Sequence, residues 1–316
     1  MDSVRHPSIR GLAAALLLLL ICAPSMSGAG VKATYLYNLS NFNGVVPFNY
    51  VREFVDAERN EIYVVTGDSV SIFDGSGMEV YRFGDDLDIG VFLDLSVESD
   101  GHILILSYTG RDFRLTRCNY RGEPQTSIEI RNLPKKFAGI SPARLLSQNG
   151  KLYLADLIAK KVVVTDANGV FQEGYDIAPL LTEFEEKPGA EYNIVSVTVD
   201  GEGNLFFTVP TMFRAFRLSP DGQLAAFGSA GNLPGRFNLV SGIVTDDKGN
   251  IFVTDILRCT VSVFDKEFKF QAQFSQRGLG PGDLIAPSEL VIDKTGKLYV
   301  SQTRNRGISV FRVAYD

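Results

Sequence analysis

The chain has no tryptophan, two histidines and three cysteines among 316 residues, and each scarcity closes off some chemistry. His6 precedes an apolar run near the start, which leaves His102 as the one imidazole of the remaining chain. A histidine metal cluster is therefore excluded. His102 follows the turn Asp100-Gly101 and suits the rim of a fold, with no partner at a spacing that general-base catalysis would use. Three cysteines in a chain of this length exclude a disulfide-stapled scaffold, and no Cys-x-x-Cys-His attaches a haem. Basic residues are not in excess either. Lys and Arg number 31 against 37 Asp and Glu, a formal charge of −6, so no nucleic-acid surface is indicated. There is no Gly-x-Ser-x-Gly elbow and no phosphate-cradling glycine loop ahead of a helix; the glycines fit hairpin turns.

Long hydrophobic runs are also scarce. One stretch, Gly11 to Ala23, is unbroken for 13 residues and follows Arg5 and Arg10. It is too short for an ordinary membrane span, and Ser27 and Ala29 are spaced for cleavage before Gly30. Residues 1–29 are expected to be a secretory signal, with an uncleaved anchor as the alternative. Cys22 follows the bulky Ile21, which fits lipid-anchor processing poorly. Removal of Arg5, Arg10 and Asp2 leaves 29 basic against 36 acidic residues, a charge of −7. The expectation is a periplasmic or extracellular protein, of bacterial type, with no stable membrane insertion after signal removal.

What the chain does have is one phrase written six times. Gly249-Asn-Ile-Phe-Val-Thr-Asp255 and Gly296-Lys-Leu-Tyr-Val-Ser-Gln302 are the clearest copies; others start at Asn60, Gly101, Gly150 and Gly203. The steps are 41, 49, 53, 46 and 47 residues, the period of propeller blades. Within the fifth copy, Val240–Thr245, Ile251–Thr254, Val261–Phe264 and Phe268–Phe274 read as four strands separated by turns. The sixth copy has three, at Ser288–Ile292, Leu298–Ser301 and Ile308–Val313. The segment Ala33–Leu39 supplies the missing one, and residues 31–40 are expected to close the ring and remove its open edges. The predicted fold class is all-β: a six-bladed β-propeller of four-stranded antiparallel blades, one domain over 30–316. Cys118 and Cys259 fall in blades two and five, nearly opposite, and are expected to be free and buried. The longest departures from the repeat, 119–139 and 176–191, are candidate binding loops.

Pro234-Gly-Arg-Phe-Asn … Gly242 to Asp255 … Val261-Ser-Val-Phe-Asp265 resembles the NHL repeat, as does Gly280-Pro-Gly-Asp … Asp293 to Val300 … Arg304 to Phe311. The resemblance is strong over about 234–313, moderate over 139–173 and weak over 46–131. It implies a six-bladed propeller that binds ligands or proteins more often than it does chemistry, and it carries no universal catalytic motif.

Two sets of residues are candidates for function. The turns between second and third strands hold Lys160, Lys161, Arg258, Arg304 and Arg306. Equivalent turns share a face, so these form a possible basic arc for an acidic protein or an anionic glycan. The second set serves a calcium ion in the central channel: Glu289 on an inner strand, with Asn193 and Asn238 just ahead of two others. No second acid is expected at the corresponding inner-strand positions. Glu98, Asp200, Asp246 and Asp293 each stand three residues before a repeat glycine and are expected to cap turns. The favoured reading is a non-enzymatic binding scaffold for an envelope or extracellular protein, with no cofactor. A calcium-assisted lactonase-like hydrolase is the alternative.

Overall fold

The structure, a computed structural model, describes residues 30–110, 112–185, 189 and 191–315. The proposed signal, residues 1–29, lies outside the described residues. Six four-stranded antiparallel sheets form the ring. Their inner strands are Arg52–Asp56, Val91–Val97, Arg144–Gln148, Ser196–Val199, Val240–Thr245 and Pro287–Ile292, and each touches the next around a central channel. In blades one to five the remaining strands follow outward in chain order.

Blade six is the exception that closes the ring. Its third strand, Ile308–Tyr315, pairs with Val31–Asn38, from Val31 opposite Tyr315 to Asn38 opposite Ser309. Tyr35 and Tyr37 are half-buried there. Tyr35 packs edge-on to Phe311 at 5.9 Å, and the Tyr37 hydroxyl donates to the Gly75 carbonyl at 2.9 Å. The third strand runs two residues beyond Val313 because the closing strand offers partners that far. The outer strand of blade five, by contrast, starts at Phe270 rather than Phe268. Phe268 has φ of 65° and belongs to the turn, where Asp265 Oδ1 accepts the Glu267 and Lys269 amides.

The repeated phrase sets the turns. Asp200, Asp246 and Asp293 each accept the amides two and four residues on, which leaves the following Gly, at φ near 80°, to close the hairpin. Glu98 departs from that expectation. Its longer side chain reaches Arg117 with bonds of 2.7 and 2.8 Å, and Asp100 accepts the His102 amide instead. The phrase's last residue works on the other side of the sheet. Asp255 is fully buried and accepts the amides of Asn238, Leu239, Leu257 and Arg258; Asp156 does the same for Ser141, Ile158 and Ala159. One carboxylate thus ties the turn after the second strand to the loop entering its own blade.

Aromatic wedges fill the space between blades: Phe207 stacks on Phe216 at 5.2 Å, and Phe227 meets Phe264 at 5.1 Å. Cys118 and Cys259 are free and buried, and burial pushes the Cys118 thiol up to about 12. Each of the two departures from the repeat has a packed part. The first buries Phe137 against Phe171 and over Gly174, where a Cβ would sit 2.5 Å from the Phe137 ring. The described part of the second forms a short helical turn, Ala178–Leu181, with Leu181 buried and Phe184 edge-on to Phe216.

Candidate functional site

The six inner strands bring one residue each to the same level of the channel. Arg52, Asp94, Arg144 and Ser196 lie opposite Val65, Leu106, Ala155 and Thr208 of their second strands. Bulges in blades five and six put Gly242 and Glu289 against Thr254 and Ser301, whose hydroxyls accept the Gly242 and Glu289 amides at 2.7 and 3.0 Å. Gly242 is required in that layer, since a Cβ would fall 2.2 Å from the Ser288 carbonyl oxygen.

This layer is an ion-paired plug. Arg144 donates from Nε to Asp94 at 2.9 Å and from Nη1 to Glu289 at 3.0 Å. Arg52 reaches the other Glu289 oxygen at 2.8 Å, and Ser196 donates to Glu289 at 3.3 Å. The Leu95 and Leu145 amides complete Asp94. Burial pushes the Glu289 carboxyl up, but Arg144 and Arg52 outweigh it and hold the group below its usual range. Burial also opposes the Arg144 charge, and Glu289 and Asp94 overcome it. For Asp94 burial wins and the carboxyl is raised, with Arg144 pulling the other way. Two guanidiniums and two carboxylates leave the layer neutral.

The next layer is apolar in five blades: Leu95, Leu145, Val197, Ile243 and Leu290 lie opposite Ile105, Leu154, Phe207, Val253 and Val300. In blade one the equivalent residue is Glu53, opposite Val64. It is 6% exposed, and neither carboxyl oxygen has a hydrogen-bond partner among the described residues. Burial, then the Glu289 charge, push it up to about 8; the Ser301 hydroxyl, outside bonding geometry, and the two arginines oppose them. Glu53 therefore carries its proton at neutral pH. The channel holds a cavity of about 200 Å³ that these two layers line, with Glu53, Asp94, Arg144 and Glu289 among its walls.

The calcium ligand set does not assemble. Glu289 lies in the channel, but both of its oxygens face guanidiniums. The Asn238 side chain donates to Asn232 at 2.7 Å, and Asn193 is exposed ahead of its strand. Hard-cation sites need oxygens without competing positive charge, so these residues do not fit the ion. The expectation of no second channel acid is corrected by Asp94 and Glu53. Asp94 stands seven residues before Gly101, as Glu289 does before Gly296, so the repeat itself marks it. Arg144 is harder to find, because a two-residue turn at Asn149-Gly150 shortens the hairpin and shifts the count.

The basic turns lie on the face where the inner strands begin, here the front face. Arg258 Nη1 donates to the Arg236 carbonyl at 2.9 Å, Lys161 Nζ to that of Lys136 at 2.7 Å, and Arg306 Nη2 to that of Leu279 at 3.5 Å. Lys160 lies over the Tyr192 ring at 5.2 Å. Arg304 is exposed; its amide meets Asn49 and its side chain makes no hydrogen bond among the described residues. None of the five forms an ion pair among the described residues. Apolar side chains stand among them. Phe42 is 100% exposed, and Ile158, Leu233, Leu257, Leu279 and Tyr50 are exposed too.

The fold is that of a six-bladed β-propeller. A protein-family model described as a six-bladed β-propeller matches residues 237–312. The chain is similar in structure to a protein of unknown function from Bacteroides thetaiotaomicron, with a TM-score of 0.62, 13% identity, and coverage of 90% of this chain and 76% of that one. It is also similar to the calcium-binding protein regucalcin from Agrobacterium tumefaciens (TM-score 0.57, 14% identity, 88% and 95% coverage) and to a streptogramin B lyase (0.55, 14%, 90% and 98%). At such identities these structures share the fold. No curated protein matches the chain in sequence. Among the described residues, no helix is long and apolar enough to cross a membrane.

Proposed function

We propose that the protein is a non-enzymatic binding scaffold, exported to the periplasm or beyond the cell, that holds an acidic partner protein on its front face. We read its repeats as NHL-type. The observation that carries this is the composition of that face. Phe42, Tyr50, Leu233, Leu257 and Leu279 line its loops and turns through blades five, six and one, beside Arg258, Arg304 and Arg306, cations that form no ion pair among the described residues. Exposed apolar groups with nearby uncompensated charge of one sign mark association surfaces. Aspartates and arginines beneath hold the loops in place, so binding meets a preformed surface.

The rival reading, a calcium-assisted lactonase-like hydrolase, requires Glu289 to leave Arg52 and Arg144. That would leave the buried Arg144 with Asp94 as its one carboxylate partner among the described residues. The scaffold reading is tested by capture from an envelope fraction. Phe42→Asp, Leu279→Asp and Arg304→Glu together are expected to abolish retention of the partner, while Glu267→Lys, on the opposite face, retains it. Equal retention by both variants contradicts the front-face assignment.

A further inference from the structure

A second cleft lies away from the front face, between the outer parts of blades one and two. It holds a cavity of about 550 Å³. That volume is within the range of small-ligand sites, which combine apolar walls with a few convergent polar groups. Its walls are tyrosine rings and aliphatic side chains: Tyr63, Ile72, Val80, Tyr81 and Tyr120. Tyr120 is 66% exposed and Tyr81 43%, large rings that the fold leaves in water. They are nevertheless held. The Tyr81 hydroxyl donates to the Arg121 carbonyl at 3.2 Å, and the Arg121 guanidinium stands 5.4 Å from the Tyr120 ring centre. At the floor, the buried Tyr63 donates to Glu61 Oε2 at 2.8 Å.

The rim carries Arg59, Arg121, Glu61 and Asp100. Arg59 is already paired with the buried Asp56 at 2.7 Å, so Arg121 stands against Glu61 and Asp100 and the rim disfavours an anion. What the cleft offers is flat apolar faces next to a mixed set of hydrogen-bond donors and acceptors. A pyranose ring has the matching surface: one face of C–H groups, which lies on an aromatic ring, and an equatorial belt of hydroxyls that both donate and accept. Glu61 Oε1 and the Arg121 guanidinium N–H groups make no hydrogen bond to the protein among the described residues and remain for such hydroxyls.

We propose that this cleft binds an uncharged sugar residue of a glycan, stacked on Tyr120 and Tyr81 and bonded to Glu61 and Arg121. The site is independent of the front face, so one chain holds two kinds of ligand.

The test is calorimetric titration of the full chain with neutral hexasaccharides of glucose, mannose and xylose at millimolar concentration, with tyrosine fluorescence as a second readout. Saturable binding of one of them is expected, weakened about tenfold by Tyr120→Ala. Tyr120 is exposed, so the variant is expected to keep the wild-type melting temperature, which confirms that the loss is local. Glu61→Gln, which keeps the shape and removes the charge, is expected to weaken binding less than Tyr120→Ala. No binding by any of the three sugars overturns the proposal. So does binding that survives Tyr120→Ala, or binding confined to sulfated sugars or to peptides.

Discussion

At the scale of single residues, the channel contains two opposite uses of a buried carboxyl. Glu289 is ionised between two guanidiniums, and Glu53, in the neighbouring layer, has no hydrogen-bond partner among the described residues and keeps its proton. The pH consequence follows from the direction of the Glu53 shift. Its folded pKa, about 8, lies above the ordinary glutamate value of 4.5, so the folded chain binds the proton more tightly than the unfolded one. Stability is then full below 4.5, falls as pH rises towards 8, and levels off above it, a loss of up to about 5 kcal/mol. Glu53→Leu, which copies Leu95, Leu145 and Leu290 of the same layer, is expected to raise the melting temperature at pH 8 and flatten the dependence between pH 5 and 8. Thermal melts across that range check it, and an unchanged slope refutes the assignment. Arg144→Met is expected to act in the opposite sense. It leaves Asp94 and Glu289 buried with one cation fewer, at a cost of about 3–5 kcal/mol, measurable by urea unfolding.

At the scale of elements, the closing strand carries the ring. Val31–Asn38 covers the whole edge of Ile308–Tyr315; Tyr35 packs on Phe311 of that strand and Tyr37 reaches Gly75 of blade one. Deletion of 31–40 is expected to expose an eight-residue edge, broaden the unfolding transition and promote aggregation, as read by calorimetry and light scattering. A sharp, soluble, monomeric transition contradicts it. This closure was legible because a strand was missing at one end of the chain and left over at the other. The blades were legible for a related reason: Asp255 and Asp246 act locally, within a few residues of the glycine that marks the repeat. The channel was legible only in part. Glu289 stands out in its strand, but its partners Arg144 and Arg52 are 145 and 237 residues away, and no local pattern reports a contact made across the ring. Hairpin length decides which residue enters the layer, and it varies between blades. The cleft at Tyr81 and Tyr120 was legible only through the 119–139 departure from the repeat, which holds Tyr120 and Arg121; Tyr63 and Tyr81 resemble ordinary packing residues.

At the scale of the whole molecule, the charges divide the work. The ring layer closes the channel with its own neutralised ion pairs, while uncompensated cations and exposed apolar side chains gather on the front face. On the proposed scaffold reading, the disc acts through its surfaces and the channel serves as its core. That division separates a scaffold from an ion-dependent hydrolase, and calcium titration of the full chain by calorimetry, with a parallel melting curve, tests it most directly. No binding heat and no shift in melting temperature are expected at millimolar calcium. A saturable heat with a rise in melting temperature, both lost in Glu289→Gln, would contradict the scaffold reading and move the function into the channel.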